Sequence, residues 1–174
     1  HENMEIISYV LEGALEHKDS IGTGAQIKPG EVQRMSAGTG IRHSEYNPLS
    51  DAVAHFLQIW IIPDTQDIEP GYEQKMFDRA DRQGVLKLVA SKDARDGALK
   101  IHQDVDLYAT ILSDGDEVSL PLRDGRRAWV QVARGSVRLN GSQLYPGDGA
   151  AVTEEEALKI TATSDAELLI FDMV

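Results

Sequence analysis

The chain contains no cysteine. That excludes a disulfide framework, a thiolate metal site and a cysteine nucleophile together. Positive charge is scarce: 17 Lys and Arg stand against 29 Asp and Glu, for a formal net charge of −12. A broad electrostatic grip on nucleic acid is therefore not expected, since phosphate binding needs clustered positive charge. Arg123, Arg126 and Arg127 form the one dense basic cluster. No apolar run approaches the roughly 20 residues of a membrane span, and no signal-peptide pattern is visible. What is present, 41% hydrophobic and 26% charged residues over 174 positions, suffices to bury a core. The expectation is a soluble cytoplasmic protein with no membrane partner and no direct nucleic-acid contact.

Helical periodicity is also largely missing. The dominant period is two: Ile7, Tyr9 and Leu11 alternate with Ser8, Val10 and Glu12. Residues 56–62, 128–132, 136–139, 158–162 and 167–171 read as further strands. Asn140-Gly141 is a two-residue hairpin signal, because both turn positions need positive φ. Short helices are expected only near 72–77 or 154–156. Many short strands separated by turns indicate an all-β sandwich or barrel.

A repeat divides the chain. Val10-Leu-Glu-Gly13, a strand, a loop and Pro29-Gly30-Glu31 recur as Val132-Ala-Arg-Gly135, a strand, the Asn-Gly turn and Pro146-Gly147-Asp148. The loop of the first copy is longer by five residues, placed at 18–24. Two β-domains of one type follow: a first at 1–64, a linker at 65–84 and a second at 85–174.

Of five histidines, His43 is the informative one, because Glu45 follows it by two. On a strand, residues i and i+2 share a face, so imidazole and carboxylate stand side by side, a pairing suited to a divalent metal. Counting from the repeat landmarks, His1 and His43 fall where the second copy has Arg123 and Ile160. Only the first copy is therefore expected to hold metal. His17 reads as a loop or strand-end residue, His55 as packed or exposed, and His102 as structural. Glu5 reads as lying close behind the metal site or on the surface. Gln58 and Trp60 share a face that lines a pocket or the core. Asn140-Gly-Ser142 is a glycosylation triplet that the hairpin explains without any glycan.

These stretches resemble the pirin family of two-barrel cupins, and within it the bacterial pirin-like quercetin 2,3-dioxygenases. The resemblance rests on His1-Glu-Asn-Met-Glu-Ile-Ile-Ser-Tyr-Val-Leu-Glu-Gly13, on Met35-Ser-Ala-Gly-Thr-Gly-Ile-Arg-His-Ser-Glu-Tyr-Asn47, on Gln58-Ile-Trp-Ile61, on Ala94-Arg-Asp-Gly97 with Lys100-Ile-His-Gln-Asp104, and on Leu169-Ile-Phe-Asp172. It implies two tandem cupin β-barrels, the first lacking its opening strands in this chain. It also implies one divalent transition metal, Fe(II) foremost, with Ni, Co, Mn, Cu and Zn as alternatives. His1, His43 and Glu45 would be ligands, with a further histidine two residues before His1 lying outside the chain. Glu45 would also be the catalytic base, acting on a flavonol-like aromatic substrate and dioxygen. The substrate-binding residues stay unassigned. The alternative implied by the family is a metal-binding regulator that acts through protein partners without turnover.

Overall fold

A computed structural model describes all 174 residues, and the chain divides into two compact units. The first comprises residues 1–78, 92–94 and 99–103; the second comprises 79–91, 95–98 and 104–174. The strands of the first are β1 (Glu5–Glu12), β2 (Leu15–Asp19), β3 (Gly24–Ile27), β4 (Glu31–Ser36), β5 (His43–Tyr46), β6 (His55–Ile61) and β7 (Gly71–Met76). Next in the chain come β8 (Lys87–Ser91) of the second unit and β9 (Leu99–Lys100) of the first. The second unit continues with β10 (Val105–Leu112), β11 (Glu117–Pro121), β12 (Arg127–Arg134), β13 (Val137–Leu139), β14 (Ser142–Leu144), β15 (Gly149–Val152), β16 (Ala157–Ala162) and β17 (Ala166–Met173).

The all-β expectation holds. Helix is confined to α1 (Arg79–Arg82) and a single 3-10 turn at Arg95–Gly97. No helix is long and apolar enough to cross a membrane. The two helices expected from sequence do not form. Residues 71–76 instead pair with β4 as strand β7, and Glu154–Glu156 make a turn region between β15 and β16. Pairing across a neighbouring strand overrides the weak local preference of a short polar segment.

Each unit packs two antiparallel sheets. In the first they run β6-β1-β4-β7 and β3-β2-β5. In the second they include β15-β12-β17-β10-β8 and β11-β16-β13-β14. The repeat read from sequence is thus a repeat of topology, with β1 to β6 recurring as β12 to β17. Even the irregularities recur. The β1–β6 ladder bulges between Val10 and Glu12, and the β12–β17 ladder bulges between Val132 and Arg134. Just past each bulge a glycine makes the turn at positive φ, Gly13 at 74° and Gly135 at 68°. A Cβ there would lie 2.1 Å from the Val53 carbonyl oxygen or 1.9 Å from that of Asp165, so no other residue fits without movement.

The five extra residues of the first copy do not all go into a loop. They lengthen β2 and β3 relative to β13 and β14, and they carry Lys18 and Asp19 on a strand. The second barrel closes on an apolar cluster that includes Val130, Val132, Leu139, Leu158, Ile160, Leu168 and Ile170. The first has smaller clusters, around Ile6, Met35 and Ile41 and around Val10, Leu15 and Ile27. Between those clusters its interior is polar. Within the basic cluster of the second unit, Arg126 is buried and donates to Asp172 and to Asp104.

Candidate metal centre

The polar interior of the first barrel is built from β2, β4, β5 and β6. His43 and Glu45 lie on β5 with their side chains on one face, as the two-residue spacing requires. Across the ladder from Glu45 stands His17 on β2. His17 is fully buried in the middle of a strand, which corrects its reading as a loop or strand-end residue. Glu45 Oε1 is 3.8 Å from His17 Nδ1 and 3.8 Å from His43 Nδ1. One donor atom from each of the three lies within 4.8 Å of the others.

His1 reaches the same group through His43. Backbone hydrogen bonds exchanged between residues 1 and 41 fix it there, and its Nε2 lies 3.1 Å from His43 Nε2. The Trp60 ring stands edge-on to His1, 4.8 Å between centroids, and its indole N–H donates to Gln58 Oε1. The Gln58 amide in turn donates to Glu45 Oε2. Gln58 and Trp60 therefore line the site, as their shared face allowed.

A second layer holds His17. Its Nε2 is 2.8 Å from Asp19 Oδ2, while Asp19 Oδ1 accepts from the backbone N–H groups of Ile21 and Thr23. A carboxylate can only accept, so His17 donates from Nε2, and in the neutral ring Nδ1 is the acceptor. The Gln33 amide nitrogen lies 3.0 Å from that atom. Tyr72 on β7 packs its ring against His17 at 5.0 Å.

The charges tune one another. Burial works against ionised Asp19, but hydrogen bonds from His17, Thr23 and Ile21 outweigh it and hold the carboxyl below its ordinary 3.8. Glu45 is likewise held below 4.5: its burial is outweighed by His17, His43 and Gln58. Burial works against a charged His17 as well, yet Glu45 and Asp19 lift its pKa above 6.5. Burial wins at His43, whose pKa falls below 6.5 even with Glu45 beside it. His43 is thereby kept as a neutral ring, the form that binds metal. Burial, reinforced by Asp19, Glu31 and Glu45, pushes the Tyr72 hydroxyl well up, so it stays protonated.

The donor set fits a divalent transition ion. His43 Nδ1 and Glu45 Oε1 are buried with no hydrogen-bond partner, a costly state for two such groups unless something else engages them. Imidazole nitrogen with carboxylate oxygen suits Fe(II), Ni(II), Mn(II), Co(II) or Zn(II).

The other sequence candidates fall elsewhere. Glu5 is buried, and it accepts from Ser36 Oγ and the His102 backbone N–H, on the face of β1 that points away from His43. It is neither a surface residue nor part of the metal cluster. His102 belongs to the first unit, with Nδ1 3.3 Å from Glu5 Oε2. His55 is exposed at the start of β6. Strand register also corrects the counted equivalence of His43 with Ile160. His17 pairs with Glu45, and its counterpart Leu139 pairs with Ile160, so Ile160 matches Glu45 and Leu158 matches His43. The second barrel has Leu139, Leu158 and Ile160 where the first has His17, His43 and Glu45.

His17 is the residue that sequence reasoning set aside. Its signal was present, since His17 and Asp19 are spaced two apart like His43 and Glu45. What sequence did not show was that β2 and β5 pair in this register.

Tandem antiparallel barrels, one with a His/Glu cluster inside and one with an apolar interior, define a two-barrel cupin. The chain belongs to the pirin family: residues 1–61 match the pirin family model, and residues 88–173 match that of the quercetinase C-terminal cupin domain. It is 50% identical, over 99% of its length and 74% of the relative's, to a quercetin 2,3-dioxygenase of Escherichia coli K12. Crystallised YhhW from E. coli superposes with a TM-score of 0.95 at 48% identity, covering 100% of this chain and 73% of the other. Bacterial pirin YhhW in complex with nickel(II) gives 0.93 at 49% identity, covering 99% and 73%.

Proposed function

We propose that this protein is a metal-dependent dioxygenase that cleaves a flavonol-like aromatic substrate in its first barrel. The observation that carries the reading is that His43 Nδ1 and Glu45 Oε1, side by side on β5, are buried without a hydrogen-bond partner, with His1 against His43. The dioxygenase name of a relative 50% identical and the nickel complex of a 49% identical pirin support it.

His1, His43 and Glu45 would hold one divalent ion, with Fe(II) the expected occupant. When bound, the ion supplies Lewis acidity that lowers the pKa of a substrate hydroxyl. Glu45 then accepts the hydroxyl proton, which its ionised state permits. Gln58 holds the other Glu45 oxygen, so the carboxylate keeps its orientation through the transfer. Trp60 offers a partly exposed aromatic surface beside His1 for a planar ring. Dioxygen addition opens the heterocycle and releases carbon monoxide.

The test is anaerobic loading of the full-length protein with Fe(II), Ni(II), Co(II), Mn(II) or Cu(II), then exposure to quercetin and oxygen. Loss of the flavonol with carbon monoxide release is expected. Metal binding without turnover by any of the five would overturn the enzymatic reading and leave metal-dependent regulation through a protein partner.

A further inference from the structure

The two barrel interiors can be compared position by position, because the matching bulges in β1 and β12 fix the alignment. One wall of the second barrel carries the cross-strand row Ala150–Val130–Ile170. The same row in the first is Gln33–Ser8–Gln58. On the facing sheet, the pair Leu139 and Ile160 is replaced by His17 and Glu45. The fold therefore closes well with aliphatic side chains at every one of these places. Putting imidazole, hydroxyl and amide there instead costs stability unless each polar atom is engaged. Ser8 Oγ and Gln33 Oε1 are buried without partners, so the cost is not fully offset.

The polar side chains are nonetheless organised around one target. Gln58 grips Glu45 Oε2, and His17 stands 3.8 Å from Oε1. Gln33 and Asp19 grip the two nitrogens of His17, and Asp19 is itself anchored by two backbone N–H groups. A carboxylate on one nitrogen of an imidazole fixes the ring's tautomer and orientation.

We propose that His17, oriented by Asp19 and Gln33, is a positioning residue for the metal centre: its buried ring bounds the Glu45 carboxylate by packing on the side opposite Gln58. This rests on the reading of His43 and Glu45 as ligands. It makes the polar interior of the first barrel a sacrifice of packing for ligand geometry. A histidine retained only for packing would behave in the opposite way: leucine in its place would leave metal binding untouched.

The experiment compares His17→Leu, which installs the residue of the second barrel, with Asp19→Asn and His43→Ala. All are made in the 174-residue chain and titrated with Co(II), whose visible absorption reports ligand geometry. His17→Leu is expected to fold, to melt in the metal-free state no lower than the parent, and to bind Co(II) about 10- to 100-fold more weakly with a shifted absorption band. Asp19→Asn should move the band in the same direction. Unchanged affinity and spectrum in His17→Leu overturn the proposal. Should His17→Leu lose its near-ultraviolet circular dichroism, His17→Gln becomes the deciding variant, and an unchanged spectrum there overturns it equally. His43→Ala separates the two readings. Parent-like Co(II) binding in His43→Ala sinks the ligand assignment itself; loss of binding there with a parent-like His17→Leu sinks only the positioning role.

Discussion

Glu45 on β5 stands directly across the ladder from His17 on β2, with Oε1 3.8 Å from Nδ1, while its other oxygen accepts from Gln58. One oxygen is held by a hydrogen bond, and the other is bounded by the His17 ring without one. That restraint makes the site testable by substitution, since removing a ligand leaves the scaffold in place.

His43→Ala and Glu45→Ala should each abolish stoichiometric binding of a divalent ion and leave the fold intact. Neither side chain belongs to the apolar clusters of the first barrel. Metal analysis of dialysed protein with circular dichroism checks this. Full metal content in both variants would refute the site.

Gly13→Ala and Gly135→Ala should each destabilise by about 1–3 kcal/mol, because the new Cβ meets a carbonyl oxygen at positive φ. Gly22, also at positive φ but with nothing within 4 Å, should cost less when changed to Ala. Urea unfolding of the three variants gives the comparison. Equal costs at all three sites would show that the close approach is unimportant.

Glu5→Ala should destabilise by about 1–3 kcal/mol, because Ser36 Oγ and the His102 N–H lose a buried acceptor. Metal content should not change, as Glu5 lies on the opposite face of β1 from His43. A loss of metal as large as that in His43→Ala would contradict this placement.

Acid should weaken the metal-free first barrel. Asp19 and Glu45 are held below their ordinary 3.8 and 4.5, so the unfolded chain binds their protons first as pH falls. Their stabilisation is present above those ordinary values and is lost as pH drops through the folded ones. His43, depressed below 6.5, acts in the same direction at higher pH. His17 is raised above 6.5, and its contribution is complete below that value and lost as pH rises through the folded one. The two histidines therefore oppose each other near neutrality, and the carboxylates govern the acid limb. The stability gap between parent and Asp19→Asn should shrink between about pH 5 and pH 3. A gap constant over that range would show that Asp19 titrates normally.

Composition and period-two patterning determined that this chain is all-β, and the recurrence of glycine and Pro-Gly turns determined that it is two barrels of one kind. Those properties are written locally: alternation sets which side chains are buried, and glycine is required where φ is positive. The pair His43 and Glu45 was legible for the same reason, since two-residue spacing guarantees a shared face. The place of His17 was decided only by tertiary structure, although His17 and Asp19 carry the same spacing. Strand pairing brings residues 17, 33, 45 and 58 together across four strands. Local spacing shows which side chains share a face, but long-range register decides which faces meet.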